Sequence, residues 1–150
     1  MYVIDSSVFL PLIAILWDKL VDIMYDYEFH LLDLTIYEVC NGFWKECVKL
    51  HRISLDDAVE SCELAVMLIK RAVVRSINDL DIDSVMNIAL TNNITVYDAS
   101  YIALARKLRA PIASNDRDIL NTAPKYDLRV YDLDEFLKII SWVYTALIVS

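Results

Sequence analysis

Residues 2–7, Tyr2-Val3-Ile4-Asp5-Ser6-Ser7, join a short apolar run to a set of small polar side chains. Valine and isoleucine favour extended strands, whereas aspartate and serine favour turns and the first positions of helices. The stretch therefore predicts a strand that ends near Ile4, followed directly by a helix. The same order recurs along the chain, which predicts one α/β domain with a parallel sheet.

Hydrophobic periodicity divides the rest of the chain into helices and short strands. It predicts helices at residues 8–26, 36–52 and 54–76, a shorter one within 79–93, and further helices at 99–108, 116–121 and from Asp134 to the end. The predicted strands are 29–34, 111–114 and 128–131, and residues 94–97 fit either a strand or an extended lead into the next helix. No linker or repeat divides the chain, so we expect one domain over residues 1–150.

Composition limits the classes of protein that this chain can belong to. It has 150 residues, a net charge of −8, 57% hydrophobic residues and one glycine. Few hairpin turns can form without glycine, so the composition argues against an all-β protein. The longest uncharged stretches, 6–17 and 139–150, are shorter than the roughly 20 residues of a membrane-spanning helix. We expect no membrane contact and, without a basic N-terminal region, a cytoplasmic location.

The three cysteines, Cys40, Cys47 and Cys62, fall inside predicted helices and form no C-x-x-C pair. We interpret them as reduced, buried thiols.

Acidic residues follow the predicted strands at the ends where parallel sheets bind ligands. Asp5 follows the first strand, Glu38 lies one turn into the helix after the second, and Asp116 follows the strand near Ile112. Asp98 reaches the same edge only if the topology brings it there. Each acid also has a structural interpretation as a helix cap, and Thr35-x-x-Glu38 matches a capping box. Capping alone does not predict that all four acids converge.

Clustered carboxylates resist ionisation unless a cation joins them. A site of oxygen ligands suits Mg²⁺ or Mn²⁺. Zinc is disfavoured, because His30 and His51 are isolated and Cys47 with His51 makes only half a site. A bound metal ion would also supply the local positive charge that this acidic chain lacks.

Four segments together resemble the PIN-domain ribonucleases, and most of all the VapC-type toxins of prokaryotic toxin–antitoxin pairs. The segments are Asp5-Ser6-Ser7 after the first strand, Leu34-Thr35-Ile36-Tyr37-Glu38-Val39, Val96-Tyr97-Asp98-Ala99-Ser100-Tyr101-Ile102-Ala103-Leu104-Ala105 and Ile112-Ala113-Ser114-Asn115-Asp116-Arg117-Asp118. The third is the most specific. The resemblance covers about residues 2–132 and leaves an apolar C-terminal helix, 133–150, whose stripe of Phe136, Ile140, Val143 and Leu147 the family does not explain.

The resemblance implies a three-layer fold, with a short parallel sheet of four or five strands flanked by helices. It implies that Asp5, Glu38, Asp98 and Asp116 are catalytic and hold one or two Mg²⁺ or Mn²⁺ ions, with Asp118 as a further candidate ligand. Ser6 and Ser114 match positions that orient water or a carboxylate. Arg117 is the first candidate among the cations for contacting the RNA backbone.

The function implied by the resemblance is metal-dependent hydrolysis of RNA phosphodiester bonds by the toxin of a toxin–antitoxin pair. The resemblance implies RNA and a cognate antitoxin protein as partners, together with a second copy of this chain. The helices around 36–50 and 58–74 carry more hydrophobic residues than one buried stripe needs, which favours such protein contacts. The alternative is a non-catalytic PIN-like module that mediates protein contacts.

Overall fold

The computed structural model describes residues 1–17 and 19–148, with side chains through residue 141. The strands are β1 (Tyr2–Ile4), β2 (Phe29–Leu32), β3 (Val73–Arg75), β4 (Ile112–Ala113) and β5 (Val130–Tyr131). All pairings are parallel, in the order β3-β2-β1-β4-β5. The predicted parallel α/β fold is confirmed.

Helices precede and follow these strands on both sides of the sheet. Within the described ranges they are α1 (Ser6–Leu16), α2 (Leu20–Asp26), α3 (Leu34–Trp44), α4 (Leu55–Ile69), α5 (Ile82–Asn92), α6 (Val96–Leu108), α7 (Arg117–Thr122) and α8 (Leu133–Ile148). A π-helical segment (Lys45–Lys49) extends α3, and two 3₁₀ turns lie at Ile77–Asp79 and Ala123–Tyr126. None of the helices in this part of the chain is long and apolar enough to cross a membrane.

The central position of β1 places the carboxyl ends of the strands around one crevice. The chain adds β2 and β3 on one side of β1 and then returns to add β4 and β5 on the other. Such a reversal separates the loops that follow neighbouring strands, and ligands bind there in open α/β sheets. Asp5, directly after β1, and Ser114, directly after β4, therefore lie side by side at this carboxyl edge.

Two hydrophobic clusters cover the two faces of the sheet and make three layers. Ile4 and Leu31 face the cluster with α1, α2 and α4, whereas Val3 and Leu32 face the cluster with α5 and α6. Adjacent strand residues point to opposite faces, which is why short apolar runs can serve both clusters. Gly42 lets α3 approach α1, because a Cβ there would lie 2.7 Å from a Leu10 methyl carbon.

The structure corrects several predicted boundaries. The predicted helix 54–76 ends at Ile69, and Val73 and Val74 pair with β2 as an edge strand, because β-branched residues suit an extended chain that can join the sheet. The predicted helix 8–26 is two helices, α1 and α2. Residues 94–95 are the extended lead into α6 and form no strand, since α6 begins at Val96.

Two predicted helix starts are wrong. Asp33, not Thr35, caps α3 by accepting a hydrogen bond from the Leu34 N–H. Asp132, not Asp134, caps α8, because Asp132 and Glu135 exchange side-chain to backbone hydrogen bonds. In α8, Phe136 and Ile140 of the apolar stripe are buried. Val143 and Leu147 lie outside the residues whose side chains are described.

The interpretation of all three cysteines as reduced thiols is wrong. Cys40 of α3 and Cys62 of α4 form a disulfide, and Cys47 stays a free, half-buried thiol. The two helices pack against each other, which brings the Cα atoms of Cys40 and Cys62 to 5.2 Å. This proximity depends on tertiary packing across 22 residues and leaves no signal in the local spacing.

Candidate functional site

Asp5 is the buried centre of the carboxyl edge. The residue is 4% exposed, and its carboxylate accepts hydrogen bonds from the hydroxyls of Ser7 at 2.5 Å, Ser114 at 2.7 Å and Ser6 at 3.2 Å. A buried carboxylate needs such donors, because losing water without compensation is costly. Its backbone N–H donates to the Ala113 carbonyl of β4. The first turn of α1 and the end of β4 thus hold Asp5 from two sides.

Glu38 joins the site through a buried phenol. Tyr101 of α6 donates its hydroxyl proton to Glu38 Oε2 at 2.9 Å, so Thr35 Oγ1, at 2.8 Å, donates to the Tyr101 oxygen. Burial and the carboxylates of Asp5 and Glu38 raise the Tyr101 pKa well above its ordinary value. Tyr101 therefore stays protonated and fixes Glu38 from the opposite face of the sheet.

Three further carboxylates form a compact group beside Asp5. Asp98, Asp116 and Asp118 each offer an oxygen within 4.8 Å of the others. Thr95 donates its hydroxyl to Asp98 Oδ2 at 2.5 Å, while Asp116 Oδ1 caps α7 by accepting from the backbone N–H groups of Asp118 and Ile119. Asp116 is therefore a helix cap, as one interpretation of the sequence holds, and it belongs to the carboxylate cluster at the same time.

The carboxylates interact through their charges. Burial raises the pKa of Glu38, and Asp5 and Asp98 raise it further, against hydrogen bonds from Tyr101 and Ser6. Burial likewise raises the pKa of Asp98, opposed by the Thr95 hydroxyl, and Asp116, Asp5 and Asp118 add to the increase. The topology thus brings Asp98 into electrostatic range of Asp5, Glu38, Asp116 and Asp118, and Asp5 into range of Glu38.

The predicted accessory residues have different surroundings. Ser114 is fully buried and also accepts a hydrogen bond from the Asp116 N–H at 3.0 Å, so it links two of the acids. Ser6 lies between Asp5 and Glu38. Arg117 is exposed at the start of α7, and its guanidinium group makes no hydrogen bond or ion pair with the described residues.

Sequence reasoning missed the contributions of Ser7, Thr35 and Tyr101. Ser7 supplies the shortest hydrogen bond to Asp5 and accepts one from the Asn115 N–H at 2.9 Å. Tyr101 lies three residues after Asp98, and this spacing puts two side chains on one face of a helix. That spacing could have indicated that Tyr101 lies near the acids. The sequence holds no such signal for Thr35, because its position is also typical of a helix cap.

The donor set fits a hard divalent cation. All of its ligand atoms are carboxylate oxygens, which Mg²⁺ and Mn²⁺ prefer. No lysine or arginine within the described part of the chain forms an ion pair with Asp5, Glu38, Asp98, Asp116 or Asp118. The raised pKa values of Glu38 and Asp98 mark a cluster whose negative charge is not offset by the protein's own cations.

We expect Asp98→Asn to stabilise the metal-free protein at pH 7, because it removes one of the repelling charges. With allowance for solvent screening at a half-buried group, the gain is about 0.5 kcal/mol, or about 1–2 °C in melting temperature. A raised folded pKa means that ionised Asp98 destabilises the fold above that pKa. The gain should therefore shrink as the pH falls towards the ordinary value of 3.8.

Thermal denaturation in a chelator between pH 7 and pH 4 measures this difference. Asp83→Asn is the matched control, because Asp83 is also in the first turn of a helix but is exposed. A lower melting temperature for Asp98→Asn than for the parent at pH 7 would contradict the repulsive cluster.

Comparisons with known proteins identify the family of this chain. Residues 2–125 match the family model described as PIN domain. Two relatives from Pyrobaculum aerophilum are each 34% identical: Ribonuclease VapC3 over 97 residues, 65% of this chain and 72% of the relative, and Exonuclease VapC9 over 119 residues, 79% and 83%.

Solved structures show the same fold. The crystal structure of PAE2754 from Pyrobaculum aerophilum is similar with a TM-score of 0.74 and 26% identity, over 93% of this chain and 88% of that one. A PilT N-terminus domain protein, SSO1118 from Sulfolobus solfataricus P2, has a TM-score of 0.51 at 20% identity over 93% of each chain. The match to the family model and the two relatives show that this chain belongs to the PIN-domain family.

Proposed function

We propose that this protein is a metal-dependent endoribonuclease and the toxin of a toxin–antitoxin pair. The observation that carries the proposal is the convergence of Asp5, Glu38, Asp98 and Asp116 at one sheet edge, in a chain of the PIN-domain family. The curated relatives named ribonuclease and exonuclease support nuclease chemistry. A cytoplasmic location agrees with a toxin that acts on cellular RNA.

The carboxylates would hold the metal. Asp98, Asp116 and Asp118 form one side of the site, and Asp5 and Glu38 complete it. When bound, Mg²⁺ or Mn²⁺ lowers the pKa of water and offsets charge on a phosphate. A non-catalytic scaffold gains nothing from this repulsive cluster, which argues against the alternative of a pure interaction module.

The protein's own side chains would orient the reacting groups. Ser6, Ser7 and Ser114 hold the Asp5 carboxylate in one orientation. Glu38 has a raised pKa and a fixed position on Tyr101, so its carboxylate can take up a proton from the attacking water. In this scheme Tyr101 is a positioning residue that acts through Glu38.

Two exposed tyrosines next to the acids can contact the bases of RNA. Tyr37 is 74% exposed beside Glu38 in the first turn of α3, and Tyr97 is 60% exposed beside Asp98 in the first turn of α6. Aromatic rings stack on the unpaired bases of single-stranded RNA. Arg117, exposed beside Asp116, can contact a phosphate of the same strand.

An exposed apolar surface on α4 supports a homodimer. Val59 is 52% and Met67 is 63% exposed, and Leu55, Trp44, Val48 and Leu50 are exposed in the same region of the fold. Large exposed apolar side chains that share one region often mark a surface that binds another protein. We propose that a second copy covers the α4 surface, and that a cognate antitoxin binds the same chain and blocks the carboxyl edge.

We expect Asp98→Asn and Asp116→Asn each to reduce RNA cleavage at least about 1,000-fold, because the metal would lose a charged ligand and its orientation. The assay follows a labelled single-stranded RNA with Mg²⁺ or Mn²⁺ and with a chelator, and unchanged circular dichroism spectra verify the fold. Asp83→Asn, an exposed aspartate of α5, should cleave like the parent. Cleavage by Asp98→Asn at the parent rate, or full activity in chelator, would refute the proposal.

We expect Tyr37→Ala and Tyr97→Ala each to raise KM for single-stranded RNA by about fivefold or more, because stacking contributes about 1–3 kcal/mol per base. Steady-state cleavage kinetics provide the measurement. Tyr25→Ala is the control, since Tyr25 is exposed on α2, which leads into the amino end of β2. Equal KM values for all three variants and the parent would exclude the tyrosines from substrate binding.

We expect the parent chain to sediment as a dimer at micromolar concentration, and Val59→Asp combined with Met67→Asp to sediment as a monomer, because buried charges destabilise an apolar interface. Leu90→Asp is the control, since Leu90 is at 76% even more exposed but lies on α5. A monomeric parent in analytical ultracentrifugation would contradict the proposed dimer.

A further inference from the structure

A cavity of about 420 Å³ lies away from the carboxyl edge, and three arginines line it. Arg106 and Arg109 come from the end of α6, and Arg129 comes from the residue before β5. The other lining residues are Ala110, Pro111, Tyr126, Asp127 and Leu128. Its volume lies within the range of small-molecule sites in proteins.

The topology puts this cavity at the opposite end of the sheet from the acids. Residues 109–111 precede β4 and residues 128–129 precede β5, so the lining belongs to the amino ends of parallel strands. Asp98 and Arg109 mark the two ends of α6, separated by roughly 16 Å at 1.5 Å per residue. The arginine cavity and the carboxylate cluster are therefore separate places on the molecule.

The three guanidinium groups have no carboxylate partner. Within residues 1–17 and 19–141, no acidic side chain lies within 4.0 Å of Arg106, Arg109 or Arg129. Asp127 is the one acid among the described lining residues, so this part of the cavity wall carries a net formal charge of about +2. In a chain of net charge −8, such a local excess of positive charge creates an attractive potential for anions.

Arg106 is already oriented at the wall. Its guanidinium carbon lies 5.0 Å from the centre of the Tyr126 ring, a cation–π contact, and its Nη1 donates a long hydrogen bond to Ser84 Oγ at 3.5 Å. The Tyr126 hydroxyl in turn accepts a hydrogen bond from Asn92 Nδ2 at 2.8 Å. A planar guanidinium held in this way keeps N–H groups available for an oxyanion and loses little entropy when it binds.

A helix end explains part of this charge but not the cavity. Cations are favourable near the negative end of a helix dipole, which accounts for Arg106 and Arg109 at the end of α6. Arg129 lies on a different segment, between a 3₁₀ turn and β5, where no helix end attracts it. Arg129 therefore adds positive charge to the wall that a helix dipole does not account for.

We propose that this arginine cavity is an anion site that binds a phosphate group. Arginine forks match the geometry of phosphate oxygens, and three of them can surround one phosphate from separate directions. The phosphate belongs either to a free nucleotide or to a single-stranded RNA whose other end reaches the carboxyl edge. The second source rests on the proposed nuclease function, and the first does not.

Binding without cleavage tests the site independently of the nuclease proposal. The starting protein is the full chain with Asp98→Asn and Asp116→Asn, and binding is measured in the presence of a chelator. The probes are inorganic phosphate, adenosine monophosphate and a ten-nucleotide RNA. The test variant adds Arg109→Gln and Arg129→Gln. The matched control adds Lys70→Gln and Arg71→Gln, which remove two exposed cations outside the cavity. Thermal melts verify that all variants fold.

We expect the test variant to raise the dissociation constant of at least one probe about tenfold or more, and the control to change it less than twofold. Weaker binding of phosphate or the mononucleotide assigns the site to a free ligand. Weaker binding of RNA alone, with a salt slope smaller by about 1.4, assigns it to the RNA backbone.

Three results would overturn the proposal. The first is that the test variant binds every probe as tightly as the chain that carries only Asp98→Asn and Asp116→Asn. The second is that the control variant loses as much affinity as the test variant. The third is that a polyglutamate peptide binds the arginine cavity at least as tightly as every phosphate probe, since the site would then recognise carboxylates of an acidic protein.

Discussion

The burial of the Asp5 carboxylate is the constraint on which the rest of the site depends. A carboxylate so far from water is stable only with donors, and here three hydroxyls supply them, with no basic side chain among the described residues taking part. Two of these hydroxyls come from the first turn of α1 and the third from Ser114 after β4. The pairing of β1 with β4 is therefore also what satisfies Asp5, so fold and site form together.

Tyr101 connects the two layers of helices across the top of the sheet. It is buried in the cluster around α6, yet its hydroxyl reaches Glu38 and Thr35 on α3, which packs its buried Val39 against the other cluster. A rigid aromatic side chain that stays protonated sets the distance between the acids of the two layers more firmly than a flexible one could. The negative charges thus stay close although they repel each other.

Local signals in the sequence predicted the parts of this arrangement that depend on neighbours in the chain. The apolar run before Asp5, the segment around Asp98 and the strand before Ser114 all indicated correct elements. Contacts between distant segments of the chain determine the features that these local signals did not predict. The β3 strand pairs only with β2, and the Cys40–Cys62 disulfide needs α3 packed on α4. Thr35 resembled a helix cap in the sequence because its hydrogen-bond partner, Tyr101, lies 66 residues away. The catalytic and metal-binding roles of the acids stay a prediction.

Net charge is a poor guide to the partners of this protein, because its charges are unevenly distributed. A cluster of carboxylates lies at the carboxyl ends of the strands, and three arginines without an ion pair line the cavity at the amino ends. A polyanion approaching the carboxyl edge meets repulsion until a cation is bound there, whereas the arginine cavity attracts it without any cofactor. A total of −8 is therefore compatible with nucleic-acid binding, provided that the strand contacts the molecule at its two ends and that metal enters first at the acidic one.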